Sequence, residues 1–270
     1  MTSSQDIKIY SFYYKPGKII VPDQVYQPLM AGNALQLDNK LIPGDDSGEN
    51  ISTKNPWYSE LTGIYWVWKN TRHGIIGTCH YRRFFTAKPE PFLYRIKRLF
   101  YYPARLYKKR YGLIYTNNAD FFVPRILKAT EINELLTQYD AILPQARKLN
   151  YTVETHYHRY HDRNDLVLLK SIIAEKHPEY IPAFESVMAG KRLYANNMFV
   201  LSNEHFQEFM NWWFDLLFEF ERRIELKNYT DYQKRILGFI AERLLTVWFC
   251  HKKLKCVELP VIYFKRLKFE

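Results

Sequence analysis

The sequence contains only three cysteines among its 270 residues, and this shortage excludes two kinds of stabilisation. They are Cys79, Cys250 and Cys256, so their number is odd and their spacing is not that of a zinc site. A disulfide framework is excluded for the same reason. We therefore expect reduced thiols in a cytosolic compartment.

Long apolar runs are also missing. No stretch is continuously apolar over the roughly 20 residues that a membrane-spanning helix needs. Residues 1–6 lack a basic segment followed by an apolar run, so we expect no signal peptide. The sequence thus predicts a cytoplasmic protein whose contact with a membrane is peripheral, on the inner face of the cytoplasmic membrane.

The motifs of several common enzyme classes are absent as well. The chain has no glycine-rich loop for phosphate, no serine nucleophile elbow and no dinucleotide-binding fingerprint. These absences exclude kinase, esterase and dehydrogenase chemistry of the usual kinds.

Apolar, aromatic and basic residues are abundant. Hydrophobic residues make up 47% of the chain and aromatic residues 17%, which is enough for a substantial core. Lysine and arginine outnumber the acidic residues by 39 to 28, giving a formal net charge of +11. Such a charge favours an anionic partner: nucleic acid, an anionic membrane or a phosphorylated substrate. The length fits one large domain, or one with a small appendage.

Residues 45–85 carry the strongest local signals. Asn55 is placed to cap a helix that has Pro56 in its first turn. Apolar side chains then recur on one side at helical spacing, at Leu61, Ile64, Tyr65 and Trp68. The short apolar run Ile75–Cys79 follows a turn and predicts a buried strand.

This predicted strand ends in the basic run His80-Tyr81-Arg82-Arg83. Open α/β sheets bind their ligands at the carboxyl ends of strands, and two guanidiniums there suit a phosphate or diphosphate. We therefore assign His80, Arg82 and Arg83 to a diphosphate. The alternative is that one of the arginines forms a structural ion pair with a nearby carboxylate, for which the candidates are Asp46, Glu49 and Glu60.

Strands and helices alternate through the first part of the chain, and the second part is mixed. Further strands are predicted at Ile7–Tyr14, 139–144, 193–201 and 257–264. Further helices are predicted at 131–138 with Thr130 as cap, from Ser202 to about Leu226, and after a capping box of Thr230 and Gln233. This pattern indicates an α/β sheet with a nucleotide-binding amino half.

A string of short motifs runs through residues 46–83. Its members are Asp46, Gly48, Asn50-Ile51-Ser52, Lys54-Asn55, Glu60-Leu61-Thr62, Tyr65-Trp66-Val67-Trp68-Lys69-Asn70 and His80-Tyr81-Arg82-Arg83. This string resembles the signature of bacterial capsular-polysaccharide-synthesis glycosyltransferases, a family that includes galactofuranosyltransferases. The resemblance extends over nearly the whole chain. It implies a single domain over residues 1–270 with a glycosyltransferase A-type (GT-A) fold, a mixed α/β sheet flanked by helices.

The resemblance also implies an activity. The expected enzyme is an inverting hexosyltransferase of surface polysaccharide biosynthesis (capsule, O-antigen or exopolysaccharide). UDP-galactofuranose is the implied donor, and a polyprenyl-diphosphate-linked glycan is the implied acceptor. The alternatives are a transferase of the same fold that uses another donor, such as UDP-galactopyranose, and a basic module that binds nucleic acid or acidic glycan without turnover.

Several matched positions are implied to contact the nucleotide or sugar. They are Tyr14, Lys15, Asp46, Asn50, Asn55, Glu60, Thr62, His161, Asn196 and Asn197. The family usually has a His-Lys pair where this chain has Tyr14-Lys15, so a nucleotide contact by that histidine is not carried over. For Asn196 and Asn197 the alternative is that they satisfy backbone groups at a strand end.

Glycosyltransferases of the A type commonly hold a divalent metal with an Asp-x-Asp motif, and this sequence contains none. His80-Tyr81-Arg82-Arg83 stands where the motif is expected. We hypothesise that fixed cations neutralise the leaving diphosphate in place of the metal, since its charge grows in the transition state. The sequence therefore predicts no metal cofactor.

An inverting transfer also needs a carboxylate that takes the proton of the acceptor hydroxyl. Glu242 is the first candidate because it lies in the family-like run Gly238–Leu245. Asp165 and Asp46 compete with it. Glu242 is equally suited to a structural pair with Arg243 or Arg235.

A histidine-rich segment follows at residues 155–165. Its potential ligands are His156, His158, His161, Asp162 and Asp165. Their spacing allows a metal site if they converge in space. The favoured alternative is a polar loop with one histidine that contacts substrate.

Residues 91–119 contain no acidic side chain, and basic residues alternate there with Phe, Tyr and Leu. This composition is typical of a segment at a membrane interface, where aromatic rings enter the headgroup level and cations meet anionic lipid. The assigned membrane-binding residues are Arg95, Lys97, Arg98, Lys108 and Lys109. A solvated basic helix is the main alternative. A groove for single-stranded nucleic acid ranks third, and with no binding motif present we expect no nucleic-acid partner.

Overall fold

The computed structural model describes residues 6–15, 17–36, 41–101, 112–224 and 235–267. Within these ranges a nine-stranded sheet forms the centre of the molecule, and helices pack on both of its faces. The strands of this sheet are Ile7–Tyr13 (β1), Tyr26–Met30 (β2), Ile75–His80 (β3), Arg83–Phe85 (β4), Leu113–Thr116 (β5), Ala141–Pro144 (β6), Phe199–Ser202 (β9), Cys256–Leu259 (β10) and Val261–Phe264 (β11). A separate pair consists of Arg147–Lys148 (β7) and Arg192–Leu193 (β8).

The helices connect these strands. They are Asn55–Tyr58 (α1), Leu61–Asn70 (α2), Phe92–Tyr101 (α3), Ala119–Phe122 (α4), Ala129–Leu136 (α5), Val153–His158 (α6), Arg163–Lys176 (α7), Ile181–Ala189 (α8), Asn203–Arg223 (α9) and Ile236–Lys252 (α10). Short 3-10 turns occur at Asn33–Leu35, Ser52–Lys54, Val123–Arg125 and Pro178–Tyr180.

The sheet is mixed. Strands β2, β1 and β3 are parallel, whereas β9 is antiparallel to β3. A turn at Tyr81 and Arg82 leads from β3 into β4, and β4 is antiparallel to both β3 and β11. The carboxyl ends of β1 and β3 therefore meet at one edge of the sheet. The predicted α/β fold, a mixed sheet flanked by helices, is confirmed.

Alternation along β1 explains how the sheet has two buried faces. Tyr10 and Phe12 join the larger core cluster, which includes α2, α9 and α10, while Ile7 and Ile9 join the cluster on the opposite face. The predicted apolar side of α2 is buried as expected, at Leu61, Ile64, Tyr65 and Trp68. Burial of this much aromatic and aliphatic surface is the main force that holds the layers together.

The first predicted helix is interrupted, and Asn55 does not cap it. Helix α1 begins at Asn55 itself, whose Nδ2 donates to the carbonyl of Ser59 at 2.7 Å and to Oγ1 of Thr62 at 3.1 Å. Ser59 has φ 52° and ψ −131°, a conformation that no α-helix contains. The chain therefore bends at Ser59, and α2 starts as a separate helix.

Two predicted strands are also interrupted. Within residues 193–201, Asn196 and Asn197 adopt φ 79° and 48°, so a left-handed turn separates β8 from β9. Residues 257–264 divide into β10 and β11 at Pro260, which has no N–H for a sheet ladder. Asparagine tolerates the left-handed region better than most residues, which explains why this pair can form the turn.

Two predicted helix starts have different outcomes. Ser202 caps α9 as predicted, because its hydroxyl accepts a hydrogen bond from the backbone N–H of His205. Thr130 is not a cap: α5 begins at Ala129, and the Glu131 carboxylate accepts the N–H of Lys128 at 2.9 Å. Helix α9 ends at Arg223, slightly before its predicted end. The capping box of Thr230 and Gln233 lies outside the described residues.

Candidate active site

A cleft of about 740 Å³ opens at the carboxyl ends of β1 and β3. Strands β1 and β3 supply one wall, through Tyr13, Tyr14 and His80, and the turn at Tyr81 and Arg82 extends it. Helix α1 and the amino-terminal part of α10 also line the cleft. The site thus lies at the sheet edge where the sequence placed it.

Basic side chains dominate the cleft. Among the described residues its lining includes five arginines, Arg82, Arg83, Arg147, Arg235 and Arg243. Two carboxylates, Glu60 and Glu242, are the acidic lining residues within the same part of the chain. Such an excess of fixed positive charge attracts an anionic ligand, and guanidiniums match the oxygens of a diphosphate.

Arg82 and Arg83 differ in how they are held. Arg82 donates from Nη1 to the carbonyl of Lys265 at 3.0 Å, and its guanidinium lies over the rings of Tyr81 and Tyr263 at 4.8 and 5.4 Å. Arg83 lies over the Tyr263 ring at 5.1 Å. Both line the cleft, so the predicted pair does reach the site.

The alternative role for this pair, a structural ion pair, is not supported where the chain is described. The Asp46 carboxylate accepts from Asn33, and Glu49 accepts from the Tyr65 hydroxyl with Lys69 at 3.5 Å. Glu60 accepts from Nδ2 of Asn197. Each of the three suspected carboxylates therefore has a different partner.

The left-handed turn at Asn196 and Asn197 connects most of the polar groups of the site. The backbone N–H of Asn196 donates to Oε1 of Glu242 at 2.8 Å, and its carbonyl accepts from Nε2 of His80 at 2.5 Å. Nδ2 of Asn197 donates to Oε1 of Glu60 at 2.8 Å. The turn thus positions both carboxylates and the histidine through atoms that lie within two residues of each other.

His80 is a hydrogen-bond donor in this arrangement. Because a carbonyl only accepts, Nε2 must carry the proton that binds Asn196. Burial lowers the pKa of His80 below its ordinary value, and the positive charge of Arg83 acts in the same direction, against the opposing effect of Glu60. Nε2 lies 4.0 Å from Oε1 of Glu60.

Glu242 lies in the cleft as predicted, and one of its suspected pairings also occurs. Its Oε2 accepts from Nη1 of Arg243 at 3.3 Å. Arg243 is 2% exposed, and it also donates to the carbonyl of Phe239 at 2.9 Å. Arg235, the other suspected partner, instead donates from Nε to the Ser59 hydroxyl at 2.9 Å.

The histidine-rich segment is a helix followed by a turn, so the predicted polar loop is wrong. His156 and His161 line the cleft, and Nδ1 of His156 lies 3.3 Å from Nη2 of Arg243. Burial and the charge of Arg243 lower the pKa of both histidines, that of His161 to about 4. Within the described ranges no three His, Cys, Asp or Glu side chains converge as metal ligands.

Asp165 is not placed to act on a substrate. It is 2% exposed in the first turn of α7, it accepts from the Tyr157 hydroxyl at 2.8 Å, and it does not line the cleft. The competing candidate Asp46 lies in a loop away from the cleft. Neither carboxylate is placed to be the base, because each accepts a hydrogen bond from a residue outside the cleft, Tyr157 for Asp165 and Asn33 for Asp46.

The predicted nucleotide or sugar contacts divide into two groups. The structure brings Tyr14, Asn55, Glu60, His161 and Asn196 to the cleft. It does not bring Lys15, Asp46, Asn50, Thr62 or Asn197 to the lining. In this second group, Thr62 bonds to Ser59 and Asn55, Asn50 closes a local turn with Ser52 and Gly48, and Asn197 supports Glu60.

Sequence reasoning missed Arg147 and the structural role of Asp45. Arg147 comes three residues after β6, and its Nη2 donates to Oδ1 of Asn196 at 3.4 Å. Its position just beyond a predicted buried strand was the available signal. Asp45 is fully buried and accepts from the N–H groups of Gly32 and Asn33 and from the Ser52 hydroxyl.

The donor set of the cleft does not fit a divalent cation. Such ions take carboxylate and carbonyl oxygens, usually several of them around one point. Here the two lining carboxylates already accept hydrogen bonds from Asn196 and Asn197, and arginines surround them.

The membrane-binding candidates lie on and after helix α3. The helix has exposed Phe92 and Leu93 at its start, 72% and 69% accessible, next to the exposed Arg95. The Tyr94 ring packs against Phe121 and Phe122. Lys97 and Arg98 belong to α3, whereas Lys108 and Lys109 lie outside the described residues. Among the helices described, none is both long and apolar enough to cross a bilayer.

The last part of the basic and aromatic segment at residues 91–119 belongs to the main sheet. Leu113–Thr116 form β5, which pairs in parallel with β11. The segment at 91–119 is therefore attached to the core at its carboxyl-terminal end.

Comparisons with known proteins agree with this architecture. The chain is similar to the apo structure of WbbM, a bifunctional glycosyltransferase, with 28% sequence identity and a TM-score of 0.84. The alignment covers 98% of this chain but 46% of that one, so the chain spans about half the length of that enzyme. The similarity confirms the predicted glycosyltransferase fold. No curated protein sequence matches the chain.

A family model described as a domain of unknown function, DUF4422, matches residues 8–253. Because this match spans nearly the whole chain, from β1 to the end of α10, the protein belongs to the DUF4422 family.

Proposed function

We propose that the protein is a glycosyltransferase of surface polysaccharide biosynthesis that uses a nucleoside-diphosphate sugar. The observation that carries this proposal is the arginine-lined cleft at the carboxyl ends of β1 and β3. A substrate with two adjacent phosphates matches its charge. The similarity to the bifunctional glycosyltransferase WbbM supports the same class of reaction.

In this proposal the arginines stabilise the leaving diphosphate. Charge on the leaving oxygen grows as the bond to the sugar breaks, so preplaced guanidiniums stabilise the transition state more than the ground state. Arg82 is held by Lys265 and two tyrosine rings before any ligand arrives. Little reorganisation is therefore needed when the donor binds, and no divalent ion is required.

Aromatic side chains complete the donor site. Tyr14 and Tyr81 lie edge to face at 5.3 Å, with their hydroxyl oxygens 3.2 Å apart, at the rim of the cleft. Phe239 also lines the cleft, against the ring of His161. Rings of this kind pack well against the apolar faces of bases and sugars.

The finer assignments follow from the signature. The donor is UDP-galactofuranose, transferred with inversion to a polyprenyl-diphosphate-linked glycan. The enzyme works as a peripheral protein at the cytoplasmic face of the membrane, where such an acceptor is held. The reaction also requires a carboxylate base, and the cleft offers Glu60 and Glu242.

A nucleotide-sugar panel tests the function and the metal together. Purified protein is incubated with UDP-galactofuranose, UDP-galactopyranose and other nucleotide sugars, each with and without EDTA, and UDP release is measured. We expect release selective for the furanose and unchanged by the chelator. UDP release from another nucleotide sugar would overturn the assignment of UDP-galactofuranose as the donor. Release that is abolished by EDTA and restored by Mn²⁺ or Mg²⁺ would overturn the assignment of a metal-free mechanism. No release from any donor would favour a binding module.

A further inference from the structure

We propose that Glu60, and not Glu242, is the general base that takes the proton of the acceptor hydroxyl. This inference rests on the proposed function and identifies a catalytic residue within it. Glu242 is then a positioning residue that holds the Asn196–Asn197 turn in place.

The contacts of Glu242 occupy both of its oxygens. Oε1 accepts the backbone N–H of Asn196 at 2.8 Å, and Oε2 accepts from the guanidinium of Arg243 at 3.3 Å. Arg243 is 2% exposed, so its charge is poorly screened by water. Both oxygens of Glu242 are therefore directed at groups of the protein, whereas a general base needs an oxygen that can reach the acceptor hydroxyl.

Glu60 has a different environment. Oε1 accepts a single hydrogen bond, from the neutral amide of Asn197. Where the chain is described, Oε2 makes no hydrogen bond, and the side chain is 13% exposed while it lines the cleft. Glu60 is therefore a positioned carboxylate that still has one oxygen available to a substrate.

The groups around Glu60 leave it without a strong counter-ion. Nε2 of His80 lies 4.0 Å from Oε1 of Glu60, and burial and the charge of Arg83 lower the pKa of this imidazole. Arg235 contacts the adjacent Ser59 through its hydroxyl. Arg83 and Glu242, which have opposite charges, line the same cleft. The carboxylate is thus fixed by Asn197 without being neutralised by a direct ion pair.

The proposed step balances as a single displacement. The acceptor hydroxyl gives its proton to Oε2 of Glu60 while its oxygen forms a bond to the anomeric carbon of the sugar. The bond from that carbon to the β-phosphate oxygen breaks, and UDP leaves with the electron pair. The arginines of the cleft stabilise the charge that UDP gains.

The test compares Glu60→Gln with Glu242→Gln, and uses Glu185→Gln as a control because Glu185 pairs with Lys170 on the surface outside the cleft. UDP release is measured with octyl β-galactoside as the acceptor probe and with water alone, and UDP binding is measured by calorimetry. We expect E60Q to bind UDP like the wild type and to release it at least about a hundred-fold more slowly. The acid limb of its pH–rate profile should also disappear.

E242Q should instead lower the melting temperature and retain that limb. The variant Glu60→Ala should regain rate when formate is added, since a small carboxylate can occupy the vacated place, whereas Glu242→Ala should not. If the wild type is active and E60Q turns over within a few-fold of its rate, the assignment of Glu60 as the base is overturned while the proposed function stands. A wild type that releases no UDP from any donor would remove the proposed function, and this assignment with it.

Discussion

At the scale of single residues, the site shows that neighbouring side chains of one type have different tasks. Arg82 donates to the carbonyl of Lys265 as well as lining the cleft, whereas the guanidinium of Arg83 lies over the Tyr263 ring. Glu60 and Glu242 show the same contrast between an available and an engaged carboxylate. Residue type therefore does not determine the role, and the surrounding donors do.

The first prediction concerns Arg83. Arg83→Ala should lower kcat/KM for the donor by about ten- to a hundred-fold, the effect of losing a hydrogen bond to a charged group. The melting temperature should change little, because Arg83 has no carboxylate partner where the chain is described. Steady-state UDP release and a thermal melt check both expectations.

The same experiment has two comparison variants. Arg82→Ala should reduce both turnover and melting temperature, since the Lys265 carbonyl loses its donor. Arg125→Ala is the control, because Arg125 bonds to Pro89 outside the cleft. Unchanged turnover in R83A and R82A, with only the melting temperature lowered, would favour a purely structural role.

The second prediction follows from His161. Burial and the charge of Arg243 lower its pKa in the folded protein to about 4, while the unfolded chain titrates near about 6.5. Between these values the unfolded state binds more protons, so the free energy of unfolding should fall as the pH decreases from about 6.5 to 4. His161→Gln should flatten this slope in urea titrations at several pH values.

The range above pH 7 is an internal control for that titration, because the imidazole is neutral there in both states. Wild-type and H161Q curves should be parallel between about pH 7 and 8.5. Part of the acid slope should remain in H161Q, since His156 also has a lowered pKa. An identical acid slope in both proteins would contradict the prediction.

At the scale of elements, the site depends on irregular turns between regular segments. Ser59 separates α1 from α2, and the Asn196–Asn197 pair separates β8 from β9. All three residues have positive φ without being glycine. Such conformations persist where the surrounding contacts fix them, and they often occur at functional sites. In this site the bend at Ser59 directs its hydroxyl toward Arg235. The turn at Asn196 and Asn197 directs the N–H of Asn196 toward Glu242 and the side-chain amide of Asn197 toward Glu60.

The third prediction compares two substitutions at Ser59. Both Ser59→Gly and Ser59→Ala remove the hydroxyl that binds Arg235, so they differ mainly in backbone strain. The glycine variant should have a free energy of unfolding about 1 kcal/mol higher than the alanine variant, because glycine adopts positive φ without a steric cost. Denaturant titration of the two variants measures this difference.

A matched pair at a regular helical position should give the opposite order. Ser186 is an exposed residue of α8. There the free energy of unfolding of Ser186→Ala should be about 1 kcal/mol higher than that of Ser186→Gly, because alanine has the higher helix propensity by about this amount. Equal stabilities of S59G and S59A would indicate that the conformation at Ser59 is not strained.

At the scale of the whole molecule, positive charge occurs both in the cleft and along the segment that begins with α3. The net charge of +11 is therefore concentrated in part at these two places. A donor with two phosphates and an acceptor held at an anionic bilayer would both meet basic surfaces. The exposed Phe92 and Leu93 would add apolar contact at the membrane.

The fourth prediction concerns this membrane contact. Phe92→Ser combined with Leu93→Ser should weaken co-sedimentation with phosphatidylglycerol-containing vesicles, since two exposed apolar side chains are lost. Neutralising Arg95, Lys97, Arg98, Lys108 and Lys109 should weaken it by about a thousand-fold, at about 1 kcal/mol for each cation near the surface. Vesicle sedimentation over a range of salt concentrations measures both effects.

Val167 provides the control for the apolar change. It lies on α7 and is 68% exposed, close to the accessibility of Phe92 and Leu93. Val167→Ser should leave vesicle binding unchanged. Equal vesicle binding by the wild type and both variants would contradict the assignment of this segment to a membrane contact. Binding to neutral vesicles alone would contradict the proposed attraction of its basic residues to anionic lipid.

The sequence alone determined the features that depend on local pattern. The apolar run before His80 specified a buried strand, and helical spacing from Leu61 to Trp68 specified the buried side of α2. The rule that ligands bind at the carboxyl ends of strands then brought Arg82 and Arg83 into consideration. These inferences succeed because periodicity and strand ends are properties of neighbouring residues.

Only the tertiary structure decided which polar groups meet. The Asn196 backbone joins His80, 116 residues earlier in the chain, to Glu242, 46 residues later, and Arg147 reaches the side chain of Asn196. Asp165 and Asp46 have the same chemistry as Glu60 but are directed into local structure. Convergence of this kind depends on long-range packing and on left-handed turns, neither of which leaves a periodic signal along the chain.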